Sequence, residues 1–204
     1  MRRRIGLLLY VFGGLMLSFA LGRYGVGRAK ADQARQAWDA AEGKATVALA
    51  RSVALHHGMR VTPVDGAPVA RLVIPSLDLD EIVLEGVDAD ELNAEPGHLT
   101  GTAYPGEPGN AVISAHRDRH FNHLDALEVG DTILTESGTH QDTWVVVAKR
   151  VVGKNERALF HTTDPTLTLT TCWPIRYLGP APDRLIVTAK SITKKPARLA
   201  SAGN

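Results

Sequence analysis

The chain has a single cysteine, Cys172, at the end of the alternating run Thr166-Leu167-Thr168-Leu169-Thr170-Thr171, and Trp173-Pro174 follows at once. A thiol at the end of a strand is held by the ladder behind it while its sulfur meets whatever approaches the mouth of the fold, which suits nucleophilic attack on a carbonyl. The same residue also fits a plainer reading, a small buried hydrophobe. An ordinary thiol, with a pKa of about 8.5, is mostly protonated at neutral pH, so a working nucleophile needs a base or a positive charge beside it. Among eight histidines, His116 has the matching place: it follows the run Asn110–Ala115 and opens the polar loop Arg117-Asp118-Arg119. Imidazole can accept the thiol proton and return it to a leaving group, although a surface histidine at that position needs no special explanation. Arg184 opens the last apolar run, Arg184–Lys190, beyond a loop that contains Gly179, Pro180 and Pro182. If the runs ending in Cys172 and starting at Arg184 pair, the guanidinium returns beside the sulfur. Permanently charged, it cannot shuttle protons, and its natural work is donating hydrogen bonds to an oxyanion or a peptide carbonyl. Asp118 is a candidate for orienting His116, and Ser114, Thr170 and Thr171 are candidates for touching a substrate.

Two other patterns in the same residues are weaker. His116-Arg117-Asp118 spells the triplet of kinase catalytic loops, but no glycine-rich phosphate loop or Asp-Phe-Gly accompanies it. His116, His120 and His123 have helical spacing and could bind zinc, yet His116 belongs to a strand end and a fourth ligand is missing nearby. A lone cysteine also excludes an intrachain disulfide and a cysteine-cage metal site. Nucleophilic attack by a thiol with an imidazole as base calls for no metal and no organic cofactor.

The elements that position these residues are short strands. Val69–Ile74, Glu81–Glu85, Asn110–Ala115, Asp131–Glu136, Gln141–Val152, Thr166–Cys172 and Arg184–Lys190 are rich in Val, Ile, Thr and Leu and are separated by Pro-Gly, Gly-Asp and Ser-Gly turns. Only short helical stretches are expected, near Asp90–Ala94 and Phe121–Leu127. Such a pattern means an all-β closed barrel or sandwich, and the lack of βαβ alternation argues against a doubly wound sheet.

The barrel occupies only the second part of the chain. Arg2-Arg3-Arg4 precede an uncharged run from Ile5 to Gly22, long enough at roughly 27 Å of helix to cross a hydrocarbon core of about 30 Å. A cleaved signal peptide competes with this reading, because Ser18-Phe19-Ala20 resembles a peptidase site. Arg23, Arg28 and Lys30 balance the leading arginines, so charge counting leaves the orientation close to a tie. An alanine-rich segment, Ala29–Ala54, reads as a helical stalk or a loosely helical linker, with Ala34, Trp38, Ala41, Ala45 and Ala48 along one face. His56–Pro68 ends it as a linker. The expected units are 1–22 for leader and signal anchor, 23–68 for stalk and linker, 69–193 for the catalytic barrel and 194–204 for a disordered polar tail. With 23 basic against 22 acidic residues in 204, no general attraction to nucleic acid is implied.

The string Thr168-Leu169-Thr170-Thr171-Cys172 resembles the TLxTC signature of sortases, the cysteine transpeptidases of bacterial envelopes. His116 and Arg184 match that family's catalytic histidine and arginine, and the likeness runs from about Leu72 to Lys190. It includes Ile74-Pro75, Gly86-Val87, Pro96-Gly97-His98 and Gly130-Asp131. Cys172-Trp173-Pro174, followed by Tyr177–Arg184, is most similar to class D. The resemblance implies an eight-stranded β-barrel on a single-pass anchor, with its active site outside the cytoplasmic membrane. It implies cleavage of a Leu-Pro-x-Thr-type C-terminal sorting signal on an exported protein. Cys172 would be the nucleophile, His116 the general acid and base, and Arg184 the stabiliser of substrate or oxyanion, with an amine of the cell wall or a pilin as acceptor. The contrasting reading is a non-catalytic envelope barrel that binds an extended peptide, with Cys172 as packing.

Overall fold

The computed structural model describes residues 2–40, 63–137, 140–154 and 162–192. The alanine-rich stalk beyond position 40, most of the expected linker and the tail from 194 lie outside the described residues. Eight strands form one closed barrel: β1 (Pro68–Ile74), β2 (Leu79–Glu85), β3 (Gly97–His98), β4 (Asn110–Ser114), β5 (Thr132–Ser137), β6 (His140–Gly153), β7 (Thr166–Trp173) and β8 (Asp183–Ser191). Around the barrel the order is β1-β2-β3-β4-β7-β8-β6-β5, with β2–β3 and β4–β7 parallel and the other pairs antiparallel. All seven runs expected from sequence are strands. The eighth, β3, is two residues long and too short to leave a periodic signal.

Alternation decides what the barrel encloses. Leu167 and Leu169 of β7, Leu185, Val187 and Ala189 of β8, and Ala111 and Ile113 of β4 point into one core with Phe121, Trp144 and Leu72. Ile186 packs on Val152 in a separate cluster, so the even positions of β8 face the opposite side. The sequence Thr-Leu-Thr-Leu in β7 is this alternation written out, leucines inward and threonines outward. A single 3-10 turn, Leu124–Ala126, stands where a short helix was expected near Phe121–Leu127. It seats Leu124 in the core, and Phe121 and Leu127 flank it there.

Helix α1 runs without a break from Arg2 to Asp39, across the expected boundary between anchor and stalk at Gly22. Leu9, Val11, Phe12, Leu15, Leu17, Phe19 and Leu21 are exposed along its first part, and the helix is long and apolar enough to cross a membrane. Its second part lies on the barrel. Ala34 and Trp38, 1% exposed, form a cluster with Ile82 and Leu84 of β2 and with Ala94 of the short helix α2 (Ala89–Ala94). Gly27 permits the approach, because a Cβ there would sit 2.9 Å from the Asn93 carbonyl oxygen. Lys30 reaches Glu91 at 3.3 Å, and Arg35 donates to the Asp80 carbonyl at 2.8 Å and to Glu81 at 3.1 Å.

Candidate active site

The register of β7 and β8 sets Cys172 directly opposite Arg184, with Thr171 opposite Leu185 and Thr170 opposite Ile186. Directly opposed residues share a face, so Cys172 and Arg184 stand on the outer face of the barrel, with Thr170 and Ile186. On the other edge of β7, Ser114 of β4 pairs with Thr170 in parallel register. The ladder continues past Ser114: the Ala115 N–H donates to the Thr170 carbonyl at 3.2 Å, and Thr171 Oγ1 donates to the Ala115 carbonyl at 2.7 Å. His116 is the next residue, so it leaves β4 beside the point where Cys172 leaves β7. Three side chains far apart in sequence thus gather at adjoining ends of β4, β7 and β8.

The loop after His116 is held from two sides. Its carbonyl accepts the N–H groups of Arg119 and Phe121, and Phe121 is fully buried in the core. Arg117 is the second tie: Nη1 donates to the Pro174 carbonyl at 2.8 Å and Nη2 to the Gly179 carbonyl at 2.7 Å, while the guanidinium lies 5.6 Å from the Tyr177 ring centre. One side chain therefore joins the histidine loop to the loop that separates Cys172 from Arg184. Sequence reasoning passed over Arg117, and its position next to His116 was the only signal available. Arg184 is half-buried, and its Nη1 donates to the neighbouring Asp183 carbonyl at 2.9 Å, which uses one of the five donors of a guanidinium.

The expected substrate-contacting residues divide by alternation. Thr170 and Ser114 are half-buried on the outer face. Thr171 is buried and points inward, and its hydroxyl joins β7 to the end of β4 instead of facing the outer surface. Asp118 is exposed, and its carboxylate pulls the His116 pKa upward. Burial outweighs that pull and holds the imidazole below its ordinary value of 6.5, with Arg119 and His120 adding to the lowering. The imidazole is therefore mainly neutral at neutral pH, the form that accepts a proton. His120 does not join His116 and His123 around a metal; its Nδ1 lies 3.1 Å from Glu81 Oε1. A cavity of about 580 Å³ is likewise not over the thiol: it lies between α1, β2 and the loop Asp118–His123. Catalysis at a strand-end rim needs a groove for an extended chain, so cavity size is a poor guide to this site.

A thiol, an imidazole and a guanidinium at one rim of a closed eight-stranded barrel is the layout of a cysteine-dependent acyl-transfer enzyme. The Sortase domain family matches residues 72–192, and the chain belongs to the sortase family of cysteine transpeptidases. It is 34% identical over 134 residues to sortase D of Bacillus subtilis, covering 64% of this chain and 67% of that protein. Among solved structures, a Clostridium perfringens sortase D5 transpeptidase superposes with a TM-score of 0.64 at 26% identity, over 82% of this chain and 99% of that one. The catalytic domain of a Bacillus anthracis class D sortase does so with a TM-score of 0.55 at 32% identity, over 67% and 95%.

Proposed function

We propose that this transpeptidase cleaves a Leu-Pro-x-Thr-type sorting signal near the C-terminus of exported proteins, with Cys172, His116 and Arg184 as the reacting group. The pairing of Cys172 with Arg184 across β7 and β8, beside His116 at the end of β4, carries the reading. Sγ attacks the threonine carbonyl carbon while His116 takes the thiol proton, and the oxyanion develops beside the Arg184 guanidinium. The C–N bond then breaks, His116 returns the proton to the departing amine, and a thioester remains on Cys172. An amine of the cell wall or of a pilin attacks that thioester, forms the new amide and releases the thiol. Burial of His116 supports this double use, because a neutral imidazole can act first as base and then as acid. An extended signal lies across the outer face past Thr170 and Ser114. The N-terminal helix anchors the chain with its leader inside, so the barrel stands on the outer side of the cytoplasmic membrane.

Mass spectrometry of the full chain with Leu-Pro-x-Thr-x peptides and a panel of amines tests this. The expected result is a thioester adduct on Cys172 for one motif, released by one class of amine and absent from Cys172→Ala. Transfer at an unchanged rate by Cys172→Ala would sink the proposal. So would a folded protein whose sulfur resists alkylation, the behaviour of a barrel that only binds peptides.

A further inference from the structure

A second constellation lies on the far side of the histidine loop, at the wall of the 580 Å³ cavity under α1. Glu81 comes from β2, Glu95 follows α2 and His120 belongs to the loop after β4. One ligand-type atom from each lies within 4.8 Å of the other two. Glu95 is 2% exposed, and its Oε2 is buried without a hydrogen-bond partner among the described residues. A buried carboxyl oxygen in that state is costly, and a cation is one of the few neighbours that removes the cost. Glu81 spreads its oxygens between His120 Nδ1 at 3.1 Å and Arg35 Nη2 at 3.1 Å.

From this geometry we infer that Glu81, Glu95 and His120 bind one divalent first-row transition-metal cation of the Zn2+ type. The donor set decides the class: an imidazole nitrogen with two carboxylates suits Zn2+ or a similar ion, whereas Ca2+ and Mg2+ prefer oxygen alone. Ligand atoms about 2.0–2.2 Å from a tetrahedral ion are roughly 3.3–3.6 Å apart, so small side-chain rotations close the site. The adjoining cavity admits the ion and leaves room for water as a fourth ligand. Arg35 on Glu81 already offsets part of the negative charge, so one divalent ion leaves the cluster at a net charge of +1, with two carboxylates, one guanidinium and a neutral imidazole. A bound ion would tie His120, and through it the loop that begins at His116, to β2 and the end of α2. The site stands independently of the sorting reaction.

Zn2+ titration calorimetry on the full chain in detergent micelles tests the inference, run in a Cys172→Ala background so that the thiol cannot hold the metal. One Zn2+ per chain is expected, with affinity lowered about tenfold or more in Glu95→Gln and in His120→Ala and unchanged in His123→Ala. Co2+ in place of Zn2+ should give visible absorption bands that vanish in the same two variants. The change at His120, whose side chain is 15% exposed, keeps the test valid should Glu95→Gln fail to fold, which circular dichroism reports. No binding, or binding that both variants leave intact, overturns the assignment, as does loss only in His123→Ala.

Discussion

Replacing Arg184 by alanine separates stabilisation of the reacting carbonyl from activation of the thiol. Arg184 faces Cys172 across an antiparallel pair, so the two Cβ atoms are about 4.5–5.5 Å apart, and in the proposed reaction the guanidinium donates to the carbonyl that Sγ attacks. A preorganised donor at a developing oxyanion contributes about 2.7–4 kcal/mol, so acylation by a Leu-Pro-x-Thr peptide should fall about 100- to 1000-fold. Stability should change by about 1 kcal/mol or less, because the side chain is half-buried and the bond it loses is to its own neighbour's carbonyl. Single-turnover formation of the thioester gives the acylation rate, and iodoacetamide alkylation of Cys172 gives the reactivity of the thiol without an oxyanion. Arg184→Lys should recover only a small part of the loss, since an ammonium lacks the planar fork. The reasoning fails if Arg184→Ala keeps acylation within threefold of the parent. It fails differently if alkylation drops by the same factor as acylation, because the arginine would then act on the sulfur and not on the carbonyl.

Asp118→Asn removes the one charge that raises the His116 pKa, so the imidazole should titrate further below 6.5 and the acid limb of acylation should move to lower pH. His116 resonances followed by NMR give the direction, and an upward shift would contradict it. Because the folded protein already holds His116 below its unfolded value, the unfolded chain takes the proton first. Stability tied to this group is therefore lost as pH falls through 6.5, and more so in the variant. Trp38→Ala should weaken docking of α1 by about 3–5 kcal/mol, as for other buried aromatic truncations. Deuterium uptake across Ala89–Ala94 should rise while β7 and β8 stay protected, since the cluster around Trp38 is separate from the barrel core; equal loss of protection throughout would show that helix and barrel unfold as one.

The sequence alone determined the strand-forming runs, because period-two alternation and turn residues are local, and it named Cys172, His116 and Arg184 because each stands at the end of such a run. The thirty-eight residues of α1 were legible as apolar and then alanine-rich, but nothing local said that Trp38 would bury itself against Ile82 and Leu84. Tertiary structure alone decided which strand ends meet: the parallel β4–β7 and antiparallel β7–β8 pairings bring residues 116, 172 and 184 to one rim. Pairing is a property of distant backbone hydrogen bonds, which leave no periodic trace in either strand. The same holds for the two-residue β3, for Arg117 joining two loops, and for Glu81, Glu95 and His120. Their approach depends on the helix, the barrel and a loop packing together, and no spacing along the chain encodes it.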